Sequence, residues 1–439
     1  MAVKLSKASL LPSLNNDRSD ELNFRKDEIE HFENLLKFAA SICPSSVEPK
    51  TSSQQVEDIE KAIYKLSEWY SLHNCHSKLE TMIKSSRGFL TRLSKSKSGK
   101  LMRTMVGSYL DMEGITVAIA IDLCKDCVEW CQKEKRSFLR QSVECRLIAL
   151  YLENKSYTEA LGLINKITKE LKKLDDKALL AEVHLLESKA YHSLSNLTKS
   201  RSALTSARTA ANAIYCPPRL QGALDLQSGI LNAEEKDFKT AYSYFYETFE
   251  CYDSSGEAEL ATTPLKYMLL SKIMLNLPED VESIINNKIC SKYAGKHMEA
   301  MKAVASSLRD RSLDKFKSVL AEYPNELSED PIIVSHLTDL YETMFEQNLF
   351  RIIEPFSRVE IAHISALINI PVTVVEEKLS KMILDQKFAG VLDQRAGCLI
   401  VYDSKVVDES YSVALQSIIH MNKVVDSLYA KAQQLTHWN

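Results

Sequence analysis

Cys124, Cys127 and Cys131 follow one another at i, i+3 and i+7, which puts three thiols on one face of a predicted helix. Thiolates grouped like this could hold a soft metal, but a zinc site needs four tetrahedral ligands, usually as two separated pairs. Only Cys145 is near enough in sequence to be recruited, so packing as small apolar side chains is the favoured reading. His73-Asn-Cys75-His76 is equally short of partners. Ser98-Gly99-Lys100-Leu101 imitates the end of a phosphate-binding loop, yet it has no earlier glycine and no Ser or Thr after the lysine. The HExxH, GxSxG and GxGxxG patterns are absent. The chain therefore reads as a non-enzyme, with no catalytic residue, cofactor or metal ligand expected.

Charge offers a second kind of chemistry. From Lys84 to Arg103 the chain carries seven basic residues (Lys84, Arg87, Arg92, Lys95, Lys97, Lys100 and Arg103) and no acidic one. Phe89, Leu90 and Leu93 are interleaved, so the run includes part of an amphipathic helix. Three readings stand beside each other: a solvated face, a docking surface for an acidic protein, and an RNA contact.

The elements that would position such groups are almost all helical. Gly and Pro number 11 each in 439 residues, well below ordinary usage, which leaves little room for sandwiches or barrels. Between about 100 and 320 a helix pair repeats. Its marker is a bulky apolar residue with a small one three later, seen at Ile115/Ala118, Tyr157/Ala160, Leu197/Ser200 and Phe238/Ala241, with weaker echoes at Val281 and Leu313. A period near forty predicts a helical solenoid whose units share one core. Breaks are expected at Leu174-Asp-Asp-Lys, where Asp175 or Asp176 caps the next helix, and at Asp253–Glu257 and Asn276–Asp280. Cys216-Pro-Pro-Arg is the candidate domain boundary. Near the start, Asp27–Ala40 reads as a helix, Cys43–Asp58 as a loop, and Ser9 as a weak kinase site.

The last ninety residues change character. Ile361–Asn369 is a short apolar run broken by Ile370-Pro371, and Val372–Lys387 resumes a 3.6 period through Val375, Leu379, Met382 and Ile383. Gly390–Asp393 and Cys398–Tyr402 are two strand-like runs around a Gln394–Gly397 turn. That order predicts a winged helix. Its charge argues against nucleic acid, since Arg351–Asp403 holds six basic and seven acidic residues and the recognition-type helix opens on Glu376-Glu377. Beyond it, Tyr411, Ala414, Ile418, Met421, Val425, Leu428, Ala432 and Leu435 step by 3 and 4 along one long helix. Ile418, Met421, Val425, Leu428 and Leu435 are the expected contacts of a bundle with helices of other subunits; the competing reading packs this seam on the chain's own body.

The remaining composition adds limits. Hydrophobic residues at 45%, charged residues at 26% and a net charge of −4 are those of an ordinary globular chain too long for one core. Ten cysteines without a framework fit free thiols in a reducing cytoplasm or nucleus. No apolar run reaches the ~18 residues of a membrane span, and Met1-Ala-Val-Lys-Leu-Ser is too short an apolar core for a signal peptide.

Helical repeats followed by a winged helix and a terminal helix are the layout of the PCI-domain family. The wording of Leu204–Arg219, Ala241–Glu250, Leu265–Leu270, Pro355–Ile361 and Asn422–Tyr429 resembles a PCI-domain lid subunit of the proteasome regulatory particle, over about Asp111 to Leu435. The resemblance implies a mainly α fold: a right-handed TPR-like α-solenoid over 1–215, and a PCI domain over 216–403 with a helical part to 350 and a winged helix with a small β-sheet over 351–403. A C-terminal bundle helix over 404–439 completes it. It also implies a scaffold in ubiquitin-dependent protein degradation. Other lid subunits would meet the winged helix and the terminal helix, and the ATPase ring and core-particle α-ring would meet the solenoid. PCI scaffolds of the signalosome or of a translation-initiation complex, and nucleic-acid-binding PCI proteins, share the architecture and stay open at this point.

Overall fold

The computed structural model describes residues 53–436, apart from 113, 288–289, 294, 329, 369 and 403–408; it does not describe the side chains of 53–56, 92, 291, 409 and 434–436. Ser9 and the Asp27–Ala40 helix lie outside the described residues. The chain divides into two compact units, Met1–Asp310 with Asp314–Leu337, and Arg311–Leu313 with Thr338–Asn439.

The first unit is a run of helices. α1 (Ser53–Leu72), α2 (His76–Arg92) and α3 (Lys95–Leu110) come before the repeats. The expected Cys43–Asp58 loop is corrected here, because its last six residues already belong to α1. Their Gln-Gln-Val-Glu wording has no helix breaker, and the two Pro and all but one Ser of the stretch lie upstream of the helix. The array continues as α4 (Val117–Lys133), α5 (Ser137–Glu153), α6 (Tyr157–Leu174), α7 (Lys177–Ser193), α8 (Leu197–Asn212), α9 (Pro218–Glu234), α10 (Phe238–Ser254) and α11 (Ala258–Met274). After α12 (Pro278–Ile285) and a 3-10 turn at Cys290–Tyr293 come α13 (Lys296–Arg309), α14 (Leu313–Glu322), α15 (Pro324–Ser328) and α16 (Pro331–Ile353), which belongs to the second unit from Thr338 onward.

The repeat marker holds, with one shift of register. Ala160, Ser200 and Ala241 are the fourth residues of α6, α8 and α10, and each is fully buried. In α4 the fourth residue is Ala120, which is buried, whereas Ala118 is exposed and Ile115 precedes the helix. The opening pair is therefore Val117/Ala120, not Ile115/Ala118, and the helices that begin at Val117, Tyr157, Leu197, Phe238 and Pro278 start 40 or 41 residues apart. A small side chain at that position lets the preceding helix lie close, and Ser200 uses the space to bond Ser188 across it.

Turns between helices explain how so few glycines suffice. Lys135, Lys155, Asp175, Ser195, Lys236 and Asn276 all have positive φ, as does Gly256. At most of these, the next N–H reaches back to the helix's last turn, as Arg136 N does to Cys131 O and Asn196 N to Tyr191 O. Ordinary residues thus close the helices in the left-handed conformation. Asp176 caps α7 by accepting from Leu179 N at 3.3 Å. Cys216-Pro217 makes a wider turn, with Pro217 extended before α9, and Leu204, Ala207, Leu224 and Leu231 share one apolar cluster around it. Asp225 is held across this turn by Arg208 at 2.7 Å and within α9 by Gln221 at 2.9 Å.

The second unit holds the small sheet. β1 (Arg358–Glu360) leads into α17 (Ile361–Ile368), α18 (Val372–Leu384), β2 (Gly390–Asp393) and β3 (Cys398–Val401). The antiparallel order is β1-β3-β2, with Val359 opposite Leu399 and Val391 opposite Ile400. Val359, Ile361, Ile364, Val375, Leu379, Met382 and Leu399 form its core. The hairpin turn is fixed by Asp393 Oδ1, which accepts from Arg395 N and Ala396 N, and Gly397 supplies φ +62°. Gly390 is required by close approach, since a Cβ there would stand 2.8 Å from Ile400 O. The last described element is α19 (Glu409–Thr436).

Candidate protein-interaction surfaces

No Gly or Pro interrupts Glu409–Thr436, so α19 runs unbroken for 28 residues. Every described residue from Ser410 to Gln433 is exposed. That includes Tyr411, Ile418, Met421, Val425 and Leu428, the last 60% accessible. Leu435, the last of the expected contacts, lies outside the described side chains. Leu415, Ile419, Val424 and Tyr429 are exposed as well and widen the mainly apolar arc to roughly 220° of the helix circumference, with Ser417, Asn422, Asp426 and Gln433 inside it. An arc this broad, uncovered, is unfavourable in water. Each Leu or Ile buried there would contribute about 1.5–3 kcal/mol.

The winged helix presents a different surface. Leu367, Val372, Val374, Leu384, Val391 and Tyr402 are exposed apolar side chains. Val372 and Val374 fall off the Val375–Leu379–Met382 core period, so they are surplus apolar residues on a solvent face. That surplus was the available signal for them, and reading only the core stripe missed it. β1 and β2 are the outer strands of the sheet, with backbone groups free of strand pairing on their far sides among the described residues. The basic residues are partly spent inside the unit: Lys378 pairs with Glu342 at 2.8 Å, Lys387 pairs with Glu346, and Arg358 turns to Cys398 Sγ at 3.7 Å. Glu376 and Glu377 remain on the recognition-type helix, so the face that would meet phosphates is poor in free cations.

The basic run of the first unit is broken up by folding. Lys84 faces Glu80 at 2.7 Å and Asp126 at 3.9 Å, and Lys97 pairs with Glu60 at 3.2 Å. Arg87 turns inward and donates to Cys127 Sγ at 3.8 Å, while Arg103 donates to Gly99 O. Lys95 and Lys100 are exposed on α3 with no ion pair among the described residues, and Arg92's side chain lies outside them. The six cations with described side chains thus do not form one stripe. The Lys84–Glu80 pair, four residues apart on one helix, was readable from sequence; the pairs with Glu60 and Asp126 were not, because those residues lie far from their partners along the chain.

The cysteine face packs inward. Cys124, Cys127, Cys131 and Cys145 are buried in one core cluster. Burial pushes the Cys124, Cys131 and Cys145 thiols up to about 12 and raises Cys127 as well, which opposes the thiolate a metal requires.

Comparison with known proteins now bears on these surfaces. Residues 21–154 match the 26S proteasome regulatory subunit RPN6 N-terminal domain, 320–403 the PCI domain, and 407–433 the 26S proteasome subunit RPN6 C-terminal helix domain. The chain is 50% identical over 383 residues to the probable 26S proteasome regulatory subunit rpn6 of Schizosaccharomyces pombe, covering 87% of this chain and 90% of that one. This chain belongs to the 26S proteasome regulatory subunit RPN6 family. It is also 49% identical over 388 residues to the Arabidopsis thaliana 26S proteasome non-ATPase regulatory subunit 11 homolog, with 88% and 92% of the two chains covered. The Saccharomyces cerevisiae 26S proteasome regulatory subunit RPN6 is 45% identical over 395 residues, 89% of this chain and 90% of that one. The RPN6 match begins at residue 21, well before the Asp111 at which the resemblance was expected to start, so it includes the Lys84–Arg103 run. The RPN6 C-terminal helix match covers the seam from Tyr411 to Ala432. No helix among the described residues is long and apolar enough to cross a membrane.

Proposed function

We propose that this chain is a non-catalytic structural subunit of the proteasome regulatory particle lid, acting in ubiquitin-dependent protein degradation in cytoplasm and nucleus. The observation that carries the reading is α19, whose apolar arc is exposed over its whole described length. Bundling with helices of other lid subunits would cover Ile418, Met421, Val425, Leu428 and Leu435. The winged helix would meet neighbouring lid subunits through its outer strands, by backbone hydrogen bonds. The solenoid would brace the lid against the ATPase ring and the core-particle α-ring. In functional terms the limits are 1–215 for the solenoid, 216–403 for the PCI domain and 404–439 for the bundle helix. The relatives are named for the 26S proteasome, which favours this reading over the signalosome, translation-initiation and nucleic-acid alternatives.

Leu428→Asp tests it, because a charge buried in an apolar bundle without a partner is costly. The variant should keep the helix content and unfolding midpoint of the parent chain yet be missing from the large complex on native gels. Full incorporation would remove the bundle role. The basic arm is tested separately. Of Lys84, Arg87, Arg92, Lys95, Lys97, Lys100 and Arg103, the ones to reverse are Lys95 and Lys100, which are exposed with no ion pair among the described residues. Lys95→Glu with Lys100→Glu should weaken a salt-sensitive contact to an acidic protein surface; unchanged partner recovery at moderate salt rejects that contact.

A further inference from the structure

The apolar arc of α19 has an amide set inside it. Placing Tyr411, Ile418, Val425 and Ala432 at one seam position of a seven-residue repeat, and Ala414, Met421 and Leu428 at the other, puts Leu415, Asn422 and Tyr429 in a third row. Asn422 thus has a large exposed apolar residue one heptad before it and another one heptad after it. Around the helix it falls between the line of the two tyrosines and that of Leu415, roughly 20° from each. Any bundle that covers Leu415 and Tyr429 also covers Asn422. Its carboxamide then needs a hydrogen-bonding partner, because a buried amide left unpaired is costly.

We infer that Asn422 selects the partner and the register of the tail: the occupant of this face is an apolar helix of another subunit that presents an amide, hydroxyl or carboxylate level with Asn422. Assemblies with no such group there, a misaligned partner or a second copy in an offset register among them, bury the amide unpaired and are disfavoured. The inference rests on the bundle reading proposed above and adds to it the chemistry of the partner.

The test is competition between full-length chains. Wild type and Asn422→Leu, differently tagged and expressed at equal levels, are compared in the purified large complex and in the total pool. Leu adds apolar surface, so apolar burial alone favours the variant; a paired amide favours wild type, by about five- to tenfold. Isolated Asn422→Leu should also self-associate at lower concentration than wild type in sedimentation equilibrium. Ser427→Leu, on the polar side of the helix, should compete evenly with wild type. Parity or an advantage for Asn422→Leu, while Leu428→Asp is excluded, overturns the role of Asn422 alone. Entry of Leu428→Asp at parity overturns the bundle reading and the inference together.

Discussion

The solenoid helices and α19 are built from the same local rules and end in opposite states. Helices such as α6 are amphipathic like α19 and put apolar residues three and four apart. In the repeats that face is closed by the next helix of the same chain, so Ile164, Ile167 and Leu171 of α6 are almost wholly inaccessible. In α19 the corresponding residues stand in water. Hydrophobic patterning reports that a face must be covered; the covering element is set by what lies within reach. A repeat has its neighbour about twenty residues away, and no helix covers α19 among the described residues.

The contrast yields a large difference in how substitutions act. Phe245 is 2% exposed and its ring lies 5.3 Å from that of Tyr267. Phe245→Ala should cost about 3–5 kcal/mol in urea unfolding of the isolated chain. Tyr429→Ala in the tail should change the same midpoint by less than about 0.5 kcal/mol. A tail substitution as damaging as the core one would show that α19 is packed in the free chain, and the comparison would break.

Alkaline pH should act on the repeats and spare the tail. The Cys124, Cys131 and Cys145 thiols are pushed up to about 12 by burial, and an unfolded thiol ionises near 8.5. A raised folded-state pKa means the contribution is complete below the unfolded value and is lost as pH climbs toward the folded one. The urea midpoint should therefore fall from about pH 9 toward pH 12, and fall less steeply in Cys131→Ala. Equal slopes would mean that these thiols are accessible in the native chain.

Close packing gives a smaller effect. A Cβ on Gly229 would stand 2.5 Å from the Phe245 ring, so α9 and α10 approach at a distance only glycine permits. Gly229→Ala should cost about 1–3 kcal/mol through displacement of that ring. No loss of stability would show that Phe245 can swing aside.

What could be read in advance follows the range of each interaction. The repeat period, the winged-helix order and the tail seam depend on residues within a few turns of one another, and they were legible. The register of the first repeat was not, because Ile115/Ala118 mimics the marker two residues ahead of Val117/Ala120, and only packing tells the exposed alanine from the buried one. β1 escaped notice because three residues with one buried side chain leave almost no alternation to detect. The basic run looked continuous in sequence and is divided in space, since Lys97 finds Glu60 and Lys84 finds Asp126 through tertiary packing.

The finest distinction lies in the turns, which α19 does without. Ser195 sits at φ +58° in the turn from α7 to α8 and Gly256 at φ +73° in the turn from α10 to α11, two positions of the repeat that close in the same left-handed conformation. A side chain at positive φ is strained, while glycine accepts that conformation but loses more freedom on folding. The two terms nearly offset, which leaves Ser195→Gly a gain of about 0.5 kcal/mol and Gly256→Ser a loss of about 1 kcal/mol. Thermal unfolding of both variants decides the matter. If the two move the midpoint in the same direction, the turns are not interchangeable, and helix closure in the array owes more to side-chain contacts at each turn than to a shared backbone geometry.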